Sequence, residues 1–219
     1  MASGTQLFCL HHAGGTTASF AGWRFSGVDV TKLSYRGRDF NSMAETADYL
    51  ASQIEASPSQ KIALYGHSMG AILAFEVALR LQDSGRIEHV FLAAARAPIA
   101  TTDDDDEAFS VLESAGALTD RARQILLEDL SLLATYPGRP QTEQLKDQVT
   151  VLYGRDDPVV PAFNSALWVS WCSITPRLVE ISGGGHLFHR ANSEAFEVVQ
   201  SVLSPDTHLH PVSSGTVRF

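Results

Sequence analysis

The chain has 219 residues, 44% of them hydrophobic and 19% charged, and a formal net charge of -9. That length suits one α/β domain whose core is large enough to dispense with disulfides and metals. The negative balance argues against nucleic acid and anionic membranes, which would be repelled at long range. Its two cysteines, Cys9 and Cys172, lack metal-site or disulfide spacing and read as buried, reduced thiols. Met1–Gly4 carries no basic region, and the apolar run Leu7–Leu10 is too short for a signal peptide or membrane span. A cytoplasmic protein is the expectation.

In chain order, the first strand is predicted over Thr5–Leu10, and His11-His12-Ala13-Gly14-Gly15 follows it. Small residues there let the backbone approach a bound molecule and aim an N–H at it. Val28–Leu33 is the second strand. From Ser42 to Ala56 the apolar residues Met43, Ala47, Leu50 and Ile54 form a helical stripe, with Ser42 as N-cap. Lys61–Tyr65 is the third strand, and Ala71–Leu79 reads as a buried helix. His89–Ala94 is the fourth strand. The stretch Arg96–Tyr136 is inserted before the next one. It opens with the acidic run Asp103–Glu107, a solvated loop that favours a helix start. Further on, Ile125, Leu126, Leu130, Leu132 and Leu133 mark an apolar helix, placed either to roof a cavity or to pack into the core. Val149–Tyr153 and Arg177–Ile181 complete the strands. Pro161–Trp171 and Asn192–Leu203 are helices, opened by a proline and by Asn192 as N-cap. Alternating β and α segments predict a mostly parallel sheet with helices on both faces, and 205–219 read as a polar, flexible tail.

Chemistry in such a sheet belongs in the loops beyond the carboxyl ends of its strands. Between the third strand and its helix stands Gly66-His67-Ser68-Met69-Gly70, a G-x-S-x-G elbow. A strand turning sharply into a helix strains the serine at the apex and leaves its hydroxyl exposed. Side chains at positions 66 and 70 would collide with neighbouring backbone, hence the glycines. The amide of Met69 then sits at a helix N-terminus beside Ser68, and the His11–Gly15 loop offers a second oxyanion donor. After the fifth strand, Asp156 and Asp157 compete to orient a histidine, since only one can point inward from a turn. The loop Ser182–His189 offers His186 as base, with His189 as runner-up and read as a surface or helix-start residue.

Together, Phe8–Gly15, Gly66–Gly70, Arg96-Ala97-Pro98, Gly154–Pro158 and Gly184-Gly185-His186-Leu187-Phe188 resemble type II thioesterases, the free-standing enzymes of polyketide and nonribosomal peptide synthesis. The likeness runs from about Leu7 to about Phe188, and Trp168 falls where that family tends to place a tryptophan. It implies an α/β-hydrolase fold over 1–204 with a lid insertion at about 99–135, and the chain order Ser68, Asp157, His186 agrees with that fold. It further implies hydrolysis of acyl thioesters on the phosphopantetheine arm of an acyl or peptidyl carrier protein, without a cofactor or metal. The family's G-x-x-D pattern selects Asp157 over Asp156, and its oxyanion donors correspond to the amides of Ala13 and Met69. Alternatives are an esterase or acyltransferase on small-molecule esters and a non-catalytic acyl-ligand binder. Three departures stand out: His11 replaces a proline, Arg36-Gly37-Arg38-Asp39 replaces a Pro-Gly-Arg-Gly-like stretch, and the lid is short. Arg36, Arg38 and Arg96 are candidates for a basic rim that meets an acidic carrier.

Overall fold

The computed structural model describes residues 4–99, 119–183, 185–190 and 193–204. Six strands, β1 (Thr5–Leu10), β2 (Val28–Leu33), β3 (Ile62–His67), β4 (Ile87–Ala93), β5 (Val149–Gly154) and β6 (Arg177–Ile181), form one sheet. Every pairing is parallel, in the order β2-β1-β3-β4-β5-β6. All six lie where the sequence predicts strands, with shifted ends: β3 omits Lys61 and runs on through Gly66 and His67, and β4 starts at Ile87.

From β1 the chain goes outward to β2 and then returns to β3 on the other side of β1. That reversal opens a crevice at the carboxyl ends of β1 and β3, where α/β sheets bind ligands. The register sets Leu10 beside Gly66 and His67 beside Ala93, so the His11–Gly15 loop and Ser68 leave the sheet side by side.

Alternate strand residues feed two cores. On one face Phe8, Leu10, Leu64, Leu92 and Val151 pack against α1 (Met43–Glu55) and α2 (Met69–Leu81). On the other, Leu7, Cys9, Tyr65, Phe91 and Leu152 meet Phe20, Trp23, Phe25 and α5 (Glu194–Leu203). Helices therefore cover both faces, as the β/α alternation predicts. Met43, Ala47, Leu50 and Ile54 of α1 are all fully buried, and burial of each larger side chain among them is worth about 1.5–3 kcal/mol. Ser42 caps the helix by accepting the amide of Glu45 at 3.2 Å.

Elsewhere the elements differ from expectation. The Pro161–Trp171 helix divides into α4 (Ala162–Ala166) and a 3-10 turn over Leu167–Trp171. A 3-10 turn eclipses side chains three apart, which lets Trp168 and Trp171 face inward together. Their indole N–H groups donate to the carbonyls of Ala95 (3.0 Å) and Arg139 (2.9 Å). The last helix is capped by Ser193, whose hydroxyl accepts the Phe196 amide at 3.3 Å, in place of Asn192. Within the insertion, α3 (Asp120–Leu133) follows the Thr119 cap. It is amphipathic: Leu126 and Asp129 are buried and Leu127 is exposed. The acidic run 103–107 and the tail 205–219 lie outside the described residues. Cys9 and Cys172 are buried and unbridged, and burial raises both thiol pKa values, Cys172 to about 12. Among the described residues no helix is long and apolar enough to cross a membrane.

Candidate active site

Ser68 follows β3 and holds the N-cap position of α2 with φ 55 and ψ -123, a left-handed backbone that costs a non-glycine residue roughly 1–3 kcal/mol. Close approach accounts for the flanking glycines. A Cβ at Gly66 would strike the carbonyl of Gly70, and one at Gly70 would strike the carbonyls of Leu10 and His11. The elbow is thus wedged against the end of β1.

Three of the predicted site residues come together. His186 Nε2 lies 3.0 Å from Ser68 Oγ, and its Nδ1 lies 2.9 Å from Asp157 Oδ2. A carboxylate only accepts, so Nδ1 carries the proton and Nε2 is left to accept from the serine hydroxyl. Asp157 is held in turn by the amides of Val159 (2.8 Å) and Val160 (3.0 Å), both on its Oδ1. Asp156 is exposed, which separates the two aspartates as the G-x-x-D pattern does. Ala13 and Met69 are both buried, Ala13 in the loop after β1 and Met69 as the first residue of α2. The first amides of a helix lack intrahelical partners and carry the positive end of its dipole.

Contrary to its reading as a surface residue, His189 is buried. Its ring centroid lies 3.9 Å from that of His67 and 5.1 Å from that of His12, and its carbonyl accepts the Trp23 indole N–H at 3.0 Å. His67 donates from Nε2 to the carbonyl of His186 at 2.7 Å, tying the β6 loop to the elbow. Burial, reinforced by neighbouring imidazoles, drives the pKa of His189 down to about 3 and those of His12 and His67 well below the usual range. At neutral pH these rings are uncharged.

The His11–Gly15 loop is anchored from several sides. His11 stacks on Tyr35 with centroids 4.3 Å apart, and the Gly15 amide donates to the His12 carbonyl at 3.0 Å. Gly14 N–H donates to Asp129 on α3 at 2.7 Å. Arg36 does not face the mouth as a free cation; it turns inward to the Gly15 carbonyl (2.9 Å) and Asp129 (2.5 Å). The Arg38 guanidinium lies 4.3 Å from the centre of the Tyr49 ring. Among the described residues, no group of three or more His, Cys, Asp or Glu side chains has the geometry to hold a metal ion.

This arrangement coincides with a match over residues 5–204 to the model of the family described as thioesterase domain. The chain belongs to that family. It is 29% identical over 233 residues to the "Probable cadicidin biosynthesis thioesterase" of Streptomyces griseus, an alignment covering 94% of this chain and 64% of that relative, so the chain spans somewhat less than two thirds of its length. Among solved structures, the RedJ thioesterase of the prodiginine biosynthetic pathway of Streptomyces coelicolor has a TM-score of 0.80 at 27% identity, covering 92% of this chain and 91% of its own. BorB, the type II thioesterase of the borrelidin biosynthetic cluster, has a TM-score of 0.76 at 28% identity, covering 93% and 92%.

Sequence reasoning missed several residues of this candidate site. His67, His12 and Asp129 have no assigned part in a G-x-S-x-G reading. One signal existed for Asp129: it is an acid on the inward stripe that Leu126, Leu130 and Leu133 define.

Proposed function

We propose that the protein hydrolyses acyl or aminoacyl thioesters held on the phosphopantetheine arm of a carrier protein in polyketide or nonribosomal peptide biosynthesis. The carrying observation is the chain of contacts from Asp157 through His186 to Ser68, at 2.9 and 3.0 Å, on a strained elbow. The named pathways of the relatives support the substrate class, and family membership supports thioester over oxygen-ester chemistry.

In this reading His186 Nε2 takes the proton of Ser68 as Oγ attacks the thioester carbonyl, and the amides of Ala13 and Met69 face the oxyanion. Each such donor is typically worth about 3–4 kcal/mol. The intermediate collapses with loss of the thiol, which receives the proton from His186. Water activated by the same imidazole then attacks the acyl-serine and releases the free acid. Asp157 holds the imidazole in the accepting tautomer and stabilises its protonated form.

The test is turnover of an acyl carrier protein, an acyl-pantetheine and a matched oxygen ester, followed by mass spectrometry. Ser68→Ala should lower turnover on the order of 10⁶-fold. Near-normal hydrolysis by that variant overturns the reading. Preference for the oxygen ester replaces it with an esterase, and transfer of the acyl group to an added alcohol or amine replaces it with an acyltransferase. Failure of a fluorophosphonate to label Ser68 replaces it with a binder.

A further inference from the structure

The loop that carries Ala13 is held from outside the sheet by a helix of the insertion. Asp129 Oδ2 accepts the Gly14 amide at 2.7 Å and Arg36 Nη2 at 2.5 Å, and Arg36 Nε donates to the Gly15 carbonyl at 2.9 Å. The Asp129 and Arg36 side chains are only 8% and 21% exposed. Almost one turn earlier on the same face of α3, Leu126 covers Gly14: a Cβ built there would lie 3.3 Å from Leu126 Cβ, at a φ of +77. Two side chains of α3 therefore clasp Gly14, one apolar and one charged.

We propose that Asp129 is a positioning residue for acyl transfer: with Arg36 it docks α3 onto the His11–Gly15 loop and so aims the Ala13 amide at the developing oxyanion. This rests on the reading of Ser68 as nucleophile and of Ala13 as oxyanion donor. A peptide unit is planar, so fixing the Gly14 N–H also fixes the carbonyl of Ala13 and the plane that follows its Cα. The Gly14 amide is spent on a carboxylate and the Gly15 amide on the His12 carbonyl, so neither serves as the oxyanion donor assigned to Ala13. An unneutralised carboxylate this close would oppose an oxyanion, and Arg36 supplies the compensating charge.

The device also joins two departures from the family pattern. His11 and Arg36 each stand where the resembled family has proline, a residue that stiffens a loop by fixing φ. Here the loop after β1 is stiffened by contact instead: His11 stacks on Tyr35, and the adjacent Arg36 reaches Asp129 and Gly15. The competence of the site then depends on α3 being in place.

The experiment measures the thiol-release burst and steady-state turnover of an acyl-pantetheine for Asp129→Ala, for the pair Asp129→Asn with Arg36→Gln, and for the pair Asp129→Ala with Arg36→Gln. Ser68→Ala is run in parallel, with circular dichroism on each variant. Asp129→Ala should slow acylation on the order of 10²-fold at nearly unchanged KM, as expected when a reacting group is displaced by about 1 Å. The Asn/Gln pair keeps an acceptor for Gly14 without a buried charge and should recover most of that loss; the Ala/Gln pair should not. Wild-type kcat in folded Asp129→Ala, or equal impairment of the two pairs, overturns the proposal. Should Asp129→Ala fail to fold, comparison of Asn/Gln with wild type decides: a burst reduced as much as the loss named above overturns it, and a retained burst supports it. Hydrolysis surviving in Ser68→Ala sinks the underlying reading instead, so the two failures are distinct.

Discussion

Glu76 and Asp129 are both buried carboxylates in a chain of net charge -9, yet their surroundings differ in kind. Glu76 lies mid-way along α2 and spreads its donors over two oxygens: Arg139 (2.7 and 2.8 Å), Arg80 (2.6 Å) and the Tyr136 hydroxyl (2.8 Å). Burial alone would raise its pKa, but hydrogen bonds from Arg139, Arg80 and Tyr136 outweigh that and hold it below the ordinary value. Asp129 receives Gly14 and Arg36 on a single oxygen, and there burial prevails and raises the pKa. Through Arg80, which also meets Asp48 at 2.6 Å, Glu76 ties α1, α2 and the segment after the insertion into one block. Asp129 instead joins a helix of that insertion to the loop beside Ser68. The contrast separates a clamp for the fold from a latch at the site.

The largest effect should come from the clamp. Glu76→Ala takes the shared buried acceptor from two guanidinium groups and a phenol and should cost about 3–5 kcal/mol in urea unfolding, with kcat per folded molecule preserved. Asp129→Ala should cost about 1–3 kcal/mol of stability, while its main loss is in acylation. Equal stability losses, or a large kcat loss in Glu76→Ala, would erase the distinction.

Acid should stress the fold through its buried histidines. Burial lowers the pKa of His11 to about 4 and of His189 to about 3, against an ordinary value of 6.5. Below pH 6.5 the unfolded chain takes up protons that the folded one refuses, so stability falls as pH drops from about 6.5 towards those values. His189→Gln should remove up to about 1.4 kcal/mol per pH unit from that slope in a series of denaturation curves. An unchanged slope would show that His189 takes up its proton as readily in the fold as in the unfolded chain, and would overturn the assignment.

The smallest effect lies at the root of α3, where the Thr135 hydroxyl accepts the Met43 amide at 3.0 Å. Thr135→Val should lower stability by about 1 kcal/mol and leave kcat alone. A matching loss of activity would mean that the latch extends further along the insertion than Asp129.

Much of the fold was legible because it is periodic or local. Runs of β-branched and aromatic residues marked all six strands, and a stripe of apolar residues three and four apart with Ser42 at its head marked α1. The Pro161–Trp171 segment was misread as one helix because its geometry answers to carbonyls far away in the chain, at Ala95 and Arg139. His189 was misread for the same reason: Trp23, which it meets, is 166 residues distant.

By itself, then, the sequence determined the elbow at Ser68, the strand ends that carry Asp157 and His186, and the family. Steric need for glycines at 66 and 70, strand periodicity and chain order are all properties of neighbouring residues. Only the tertiary structure decided that Arg36 turns away from the mouth to meet Asp129, 93 residues along the chain, and that Gly14 is gripped between them. Ion pairs of that range leave no periodic trace, since any surface arginine and any helical aspartate would read the same until packing brings two of them together.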